Sequence, residues 1–141
     1  MFAVGTAAAS ILLLASCGLL GPNRDADGRV TETAVIGSTQ LLEGDCFSFV
    51  EGSNLSEASV TPCANPHDYI VIGTGELDAS TVESAGGVQN AVNVACADSF
   101  AAFKETVAEG VKPTQEFIVA TEDRDGKEIT LYSCLATDAD A

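Results

Sequence analysis

A chain of 141 residues is the size of one domain, and its 46% hydrophobic content is enough to build a core. With 21 acidic against 6 basic residues the formal net charge is −15, which argues against nucleic acid and against adsorption to anionic lipid through a basic patch. An acidic surface serves solubility first; a divalent cation or a basic protein is the sharper alternative partner.

Residues 2–14 are apolar or small, and Leu14-Ala15-Ser16-Cys17 follows directly. The run is long enough to enter a membrane and shorter than the roughly 20 residues of a spanning helix, which suits the core of a signal peptide. The tetrad resembles the lipobox of bacterial lipoproteins, in which the cysteine is diacylated and becomes the mature N-terminus. That resemblance makes residues 1–16 a signal peptide and Cys17 the lipidation site, a durable anchor where a single acyl chain holds only marginally. No Lys or Arg precedes Arg24, so the usual positive segment of a signal peptide is missing. Residues 17–34, dominated beyond Cys17 by Gly, Pro, Asn and Asp, read as a lipidated N-terminus and flexible tether. The folded domain is expected over residues 35–136, with residues 137–141 a disordered tail.

Within the domain, Val35-Ile36 and then Gln40-Leu41-Leu42 read as a short strand or extended entry that ends at a turn at Gly44-Asp45. Cys46-Phe47-Ser48-Phe49-Val50 alternates with period two, as a half-buried strand does. A turn rich in Gly, Ser and Asn leads back through Ala58-Ser59-Val60-Thr61, which Pro62 stops. Tyr69-Ile70-Val71-Ile72-Gly73-Thr74-Gly75 is the most strand-like run, and its Ile-Val-Ile core suits a strand covered on both faces. Ser80 with Glu83 matches a capping box. From Val88, apolar positions at Ala91, Val92, Ala95, Cys96, Phe100, Phe103 and Val107 mark one helical stripe, stopped by Gly110 and Pro113. Residues 116–121 and 128–135 read as strands joined at Asp125-Gly126, a strong hairpin signal. The expected fold is α+β: a small antiparallel sheet packed against one main helix. No internal repeat is visible.

Cys46, Cys63, Cys96 and Cys134 remain after Cys17 is assigned to lipid. In a small exported domain they read as two disulfides, for which three pairings exist. Order along the chain favours Cys46 with Cys63 across 16 intervening residues, and Cys96 with Cys134, joining helix to last strand. Loop-closure entropy assigns these about 3 and about 4 kcal/mol. A zinc site is disfavoured, since there is no Cys-x-x-Cys pair and a single histidine.

His67 stands beside Asp68, yet neighbours on an extended chain point to opposite faces, which places Asp68 badly for orienting the imidazole. A turn residue whose ring bonds nearby backbone is the better reading, and no catalytic residue is assigned. Asp123-x-Asp125-Gly126 matches part of a calcium loop, but the positions that should be acidic at its two ends are Thr121 and Tyr132. It reads as a turn, with no metal ligand or cofactor assigned.

Gly44-Asp45-Cys46-Phe47, then Val60-Thr61-Pro62-Cys63, then Pro66-His67-Asp68-Tyr69 resembles the actinobacterial septum-formation domain, over roughly residues 41–135. Members carry a tryptophan that this chain lacks; Phe117 is expected in the aromatic role. The resemblance implies a lipid-anchored, extracytoplasmic interaction module with an envelope protein partner, linked to septum formation or envelope assembly. Pro66, His67, Asp68, Tyr69 and Phe117 are its expected partner-binding residues. A lipoprotein that binds a small molecule or a divalent cation is the alternative.

Overall fold

The computed structural model describes residues 21–137. The β-branched and aromatic runs form six strands, β1 (Ala34–Gly37), β2 (Cys46–Phe49), β3 (Glu57–Thr61), β4 (Tyr69–Asp78), β5 (Gln115–Arg124) and β6 (Lys127–Thr137). They make one antiparallel sheet in the order β1-β3-β2-β4-β6-β5. Two helices, α1 (Ala79–Ser84) and α2 (Val88–Lys104), separate β4 from β5. The fold is α+β, with Cys46–Cys63 and Cys96–Cys134 both bonded.

The β5–β6 connection is the two-residue loop that Asp-Gly promises. Asp125 and Gly126 have φ of 56° and 78°, the left-handed conformation that lets a tight turn follow the twist of its strands. Asp123 Oδ1 accepts the Gly126 N–H at 3.0 Å and fixes the turn.

The sheet has two buried faces. On one, α2 packs its stripe through Ala91, Val92 and Cys96 against β4 and β6. Gly73 makes this approach possible: a Cβ there would stand 2.8 Å from Ser99 Oγ. Here Cys96 and Cys134, 0% and 1% exposed, join helix to sheet in a cluster with Val92, Ile72, Leu77 and Phe117.

The other face carries the larger core. Ile36 of β1, Phe47 of β2, Ala58 and Val60 of β3, Val71 of β4 and Leu135 of β6 form one cluster, with Ile118 of β5 packed against it. In a flat sheet, strands about 4.8 Å apart would place the first and sixth about 24 Å from each other. The cluster reaches all six strands, and Ser38 and Leu41, which follow β1, line one cleft with Ile118 of β5, so the sheet curls round this face. The 3-10 turn Ser38–Gln40 that follows β1 consequently touches β5, at the far end of the strand order. The domain is a barrel left open along one seam.

Four expectations need correction. The stretch read as a tether is folded from about residue 23: Arg24 bridges Val30, Asn23 Nδ2 donates to Glu32, and Val30 is 7% exposed in the larger core. Its glycines and aspartates build a turn, with Asp25 Oδ1 accepting the N–H groups of Asp27 and Arg29. The first helix is capped by Asp78, which accepts the Thr81 N–H at 2.8 Å, and not by Ser80. Helix α2 ends at Lys104, ahead of Val107, where the Thr106 hydroxyl takes the Phe103 carbonyl. Thr137, read as tail, is the last residue of β6. Cys17, the signal peptide and residues 138–141 lie outside the described residues.

Candidate functional site

The loop after Cys63 is built by its own hydrogen bonds. Asn65 N–H closes a turn on the Pro62 carbonyl at 2.8 Å, and Asn65 Nδ2 donates to Thr61 Oγ1 at 3.0 Å. His67 is 7% exposed, with Nδ1 2.8 Å from the Asn65 carbonyl oxygen, a ring bonded to nearby backbone in a turn. Asp68 and Pro66 are exposed. Tyr69 turns inward: its ring stacks on Phe47 at 5.6 Å and meets Phe49 edge-on at 5.4 Å. Burial raises the Tyr69 phenol above its ordinary pKa, reinforced by the charge and hydrogen bond of Glu116.

Phe117 does not join this group. It sits opposite Cys134 in the β5–β6 register and packs in the helix-side cluster, whereas Tyr69 belongs to the concave-side core. Directly opposed residues share a face and neighbours alternate, so the sheet itself separates Phe117 from Tyr69. The five expected partner-binding residues therefore form no single surface.

Beside the disulfide Cys46–Cys63, an open depression of about 620 Å³ is lined by Asp25, Asp27, Glu43 and the segment around Asp45. Asp45 is 3% exposed and already engaged: its oxygens accept Arg24 Nη1 at 2.6 Å, Nη2 at 2.8 Å and the Leu42 N–H at 2.8 Å. Those bonds hold Arg24 above its ordinary pKa, with burial opposing.

The strongest site geometry is at the open seam of the barrel. A cleft of about 230 Å³ lies between the 3-10 turn and the concave faces of β4, β6 and β5. Its floor combines Ile118, Ala120 and Leu131 with Thr74 and Ser133, and Ser38 and Leu41 close the opposite side. Ser38 and Ser133 are each 8% exposed. Among the described residues, neither hydroxyl has a hydrogen-bond partner in the protein, so both are available to an occupant of the cleft. At one end Arg124 Nη1 and Nη2 clasp the Glu76 carboxylate at 3.0 and 2.9 Å, and its Nε donates to Glu122 at 3.0 Å. The Arg124 guanidinium holds the Glu76 carboxyl below its ordinary pKa. An apolar floor with hydroxyls and one charged end suits binding of an amphipathic group.

None of these cleft residues stood out in the sequence. The alternation of Ile118 and Ala120, and of Leu131 and Ser133, was a signal that they share a face. Nothing local announced that the turn at Ser38 would cover them, or that Glu76 and Arg124 would meet across 48 positions. Comparison with protein-family models, with curated proteins and with solved structures gave no match.

Proposed function

We propose that the protein is a lipid-anchored, extracytoplasmic interaction module of the bacterial cell envelope, linked to septum formation or envelope assembly. The observation that carries the location is the pair of disulfides, which persist in oxidising compartments and are rare in the cytosol. They point to an extracytoplasmic environment; Leu14-Ala15-Ser16-Cys17 supports the anchor, and the likeness of residues 41–135 to the septum-formation domain supports the role. No helix among the described residues is long and apolar enough to cross a membrane, so attachment through Cys17 is the route the proposal uses. Partner capture tests it: the wild-type chain, cross-linked in membranes, recovers an envelope protein that Cys17→Ala does not. Equal recovery with both chains contradicts the role of the anchor.

A second reading, a lipoprotein that binds a small molecule or a divalent cation, would place a small ligand in the cleft at the seam. At about 230 Å³ the cleft is below the roughly 300–1,000 Å³ of ordinary small-molecule sites, and it fits a single inserted side chain better. On the interaction reading, millimolar calcium leaves the melting temperature almost unchanged. A large rise, lost in Asp125→Ala, favours the cation reading, because a ligand that binds only the folded state stabilises it by mass action.

A further inference from the structure

Strand β5 is at one edge of the sheet and is ten residues long. The Thr137 N–H donates to the Thr114 carbonyl at 3.0 Å, and the two-residue loop closes the pair Arg124↔Lys127 at the other end. Both ends give the same phase, with no register shift between them. The inward, hydrogen-bonded positions of β5 are thus Glu116, Ile118, Ala120, Glu122 and Arg124. Gln115, Phe117, Val119, Thr121 and Asp123 direct their backbone N–H and C=O away from the sheet. Among the described residues no strand pairs with that edge, and the 3-10 turn beside it makes no hydrogen bond to it.

The side chains of Glu116, Ile118, Ala120 and Glu122 fall on the concave face, where Ile118 and Ala120 line the cleft. Along this face the strand therefore reads acid, apolar, apolar, acid at every second residue. On this face Arg124, bonded to Glu76 and Glu122, and Lys127 opposite it stand against the three carboxylates of Glu76, Glu116 and Glu122, so the face keeps a net negative charge. Self-pairing is opposed: an antiparallel second copy centred on Val119 would set Glu116 against Glu122, between chains that each carry −15.

We propose that the open edge of β5 is a β-augmentation site for an extended segment of a partner protein, with basic residues flanking two apolar ones at alternate positions. The partner's backbone pairs with the outward groups of Phe117, Val119 and Thr121. One of its apolar side chains enters the cleft between Ile118 and Ser38, and its basic residues face Glu116 and Glu122. Main-chain bonds supply affinity and the alternate side chains supply selectivity, the division usual for strand addition. The pattern is the same read from either end, so parallel and antiparallel partners both satisfy it. The proposal rests on the interaction reading and adds the place and the chemistry of the partner.

The test uses the full chain purified from membranes and the amidated peptide acetyl-Lys-Thr-Val-Thr-Leu-Thr-Lys. Binding is expected to slow hydrogen exchange at the amides of Phe117, Val119 and Thr121. It is expected to weaken by about tenfold or more when both peptide lysines become glutamates, and to weaken with rising salt. Val119→Pro is expected to abolish binding while the fold is kept, since the Val119 N–H faces outward and proline is tolerated on such an edge. Equal binding of the glutamate peptide, no protection at the three amides, or unchanged binding by Val119→Pro overturns the proposal. Protection of the same amides that grows with protein concentration alone assigns the edge to a second copy, and overturns it as well. In membranes, recovery of the same envelope protein by wild type and Val119→Pro leaves the interaction reading standing and removes this site. Recovery of nothing by wild type removes the interaction reading itself, and the site with it.

Discussion

Asp45 shows how a single buried carboxylate can decide where the fold begins. It is 3% exposed, and Arg24, whose side chain is 18% exposed, is its only charged partner among the described residues. Removing one partner of such a pair leaves an uncompensated charge, at a cost of about 3–5 kcal/mol when fully buried and toward the lower end for a partly exposed partner. Arg24→Ala is therefore expected to lower the unfolding free energy by about 3 kcal/mol, read as a lower urea midpoint with the slope unchanged. Gly44-Asp45 was legible as a turn, but its partner was not. An ion pair between residues 21 positions apart leaves no periodicity to read, and Gly, Pro and Asp around Arg24 have the composition of a linker even when they form a bonded turn. A second residue-scale prediction concerns acid. Asp78 is held below its ordinary 3.8 by the Thr81 backbone N–H, and Glu76 below its ordinary 4.5 by Arg124. A carboxylate with a depressed folded pKa stabilises fully above its unfolded pKa and loses that contribution as pH falls through the folded value. Thermal stability is expected to decline on acidification below about pH 4. The decline is expected to be shallower in Asp78→Asn, which keeps a capping oxygen and does not titrate.

At the scale of elements, the two disulfides differ in access. Cys63 is exposed, whereas Cys96 and Cys134 are sealed between α2 and β6. Thiol–disulfide exchange needs an approach to sulfur, so mild reduction followed by alkylation is expected to label Cys46 and Cys63 first. Early labelling at Cys96 would mean that α2 opens readily. Replacing both Cys96 and Cys134 by alanine is expected to cost about 2–5 kcal/mol, as for loss of a native disulfide in a small exported domain. This part of the architecture was largely legible: the stripe from Val88 to Phe103 placed Cys96 on the buried side of α2, and chain order favoured the observed pairing. The helix end was less so. Val107 continues the apolar period, and only the local competition of Thr106 for the Phe103 carbonyl shows why the helix stops earlier. Strand β4 also runs on to Asp78, three residues beyond the strand-like run that ends at Gly75 in the sequence. Gly73 and Gly75 stay in the strand because other side chains take the space: Ser99 lies over the first and the Tyr132 ring over the second.

For the whole molecule, strand content and disulfide pairing were readable, whereas curvature was not. The closure that brings the turn at Ser38 onto β5 depends on contacts between the first and last strands of the sheet, and these are far apart in sequence. The cleft, the open β5 edge and the division of Tyr69 from Phe117 between two faces all follow from that closure. The domain so formed has a structured concave side, an acidic exterior and two bonds suited to an oxidising compartment. The proposed function adds a lipid at Cys17 that holds this domain at the membrane. The most direct measurement of that claim is membrane fractionation with intact-mass determination of the wild-type chain and Cys17→Ala. The expected result is a wild-type protein that begins at a diacylated Cys17 and partitions with membranes, and a Cys17→Ala protein that is released or left as unprocessed precursor. Identical partitioning of the two chains, with no added lipid mass on wild type, would contradict it.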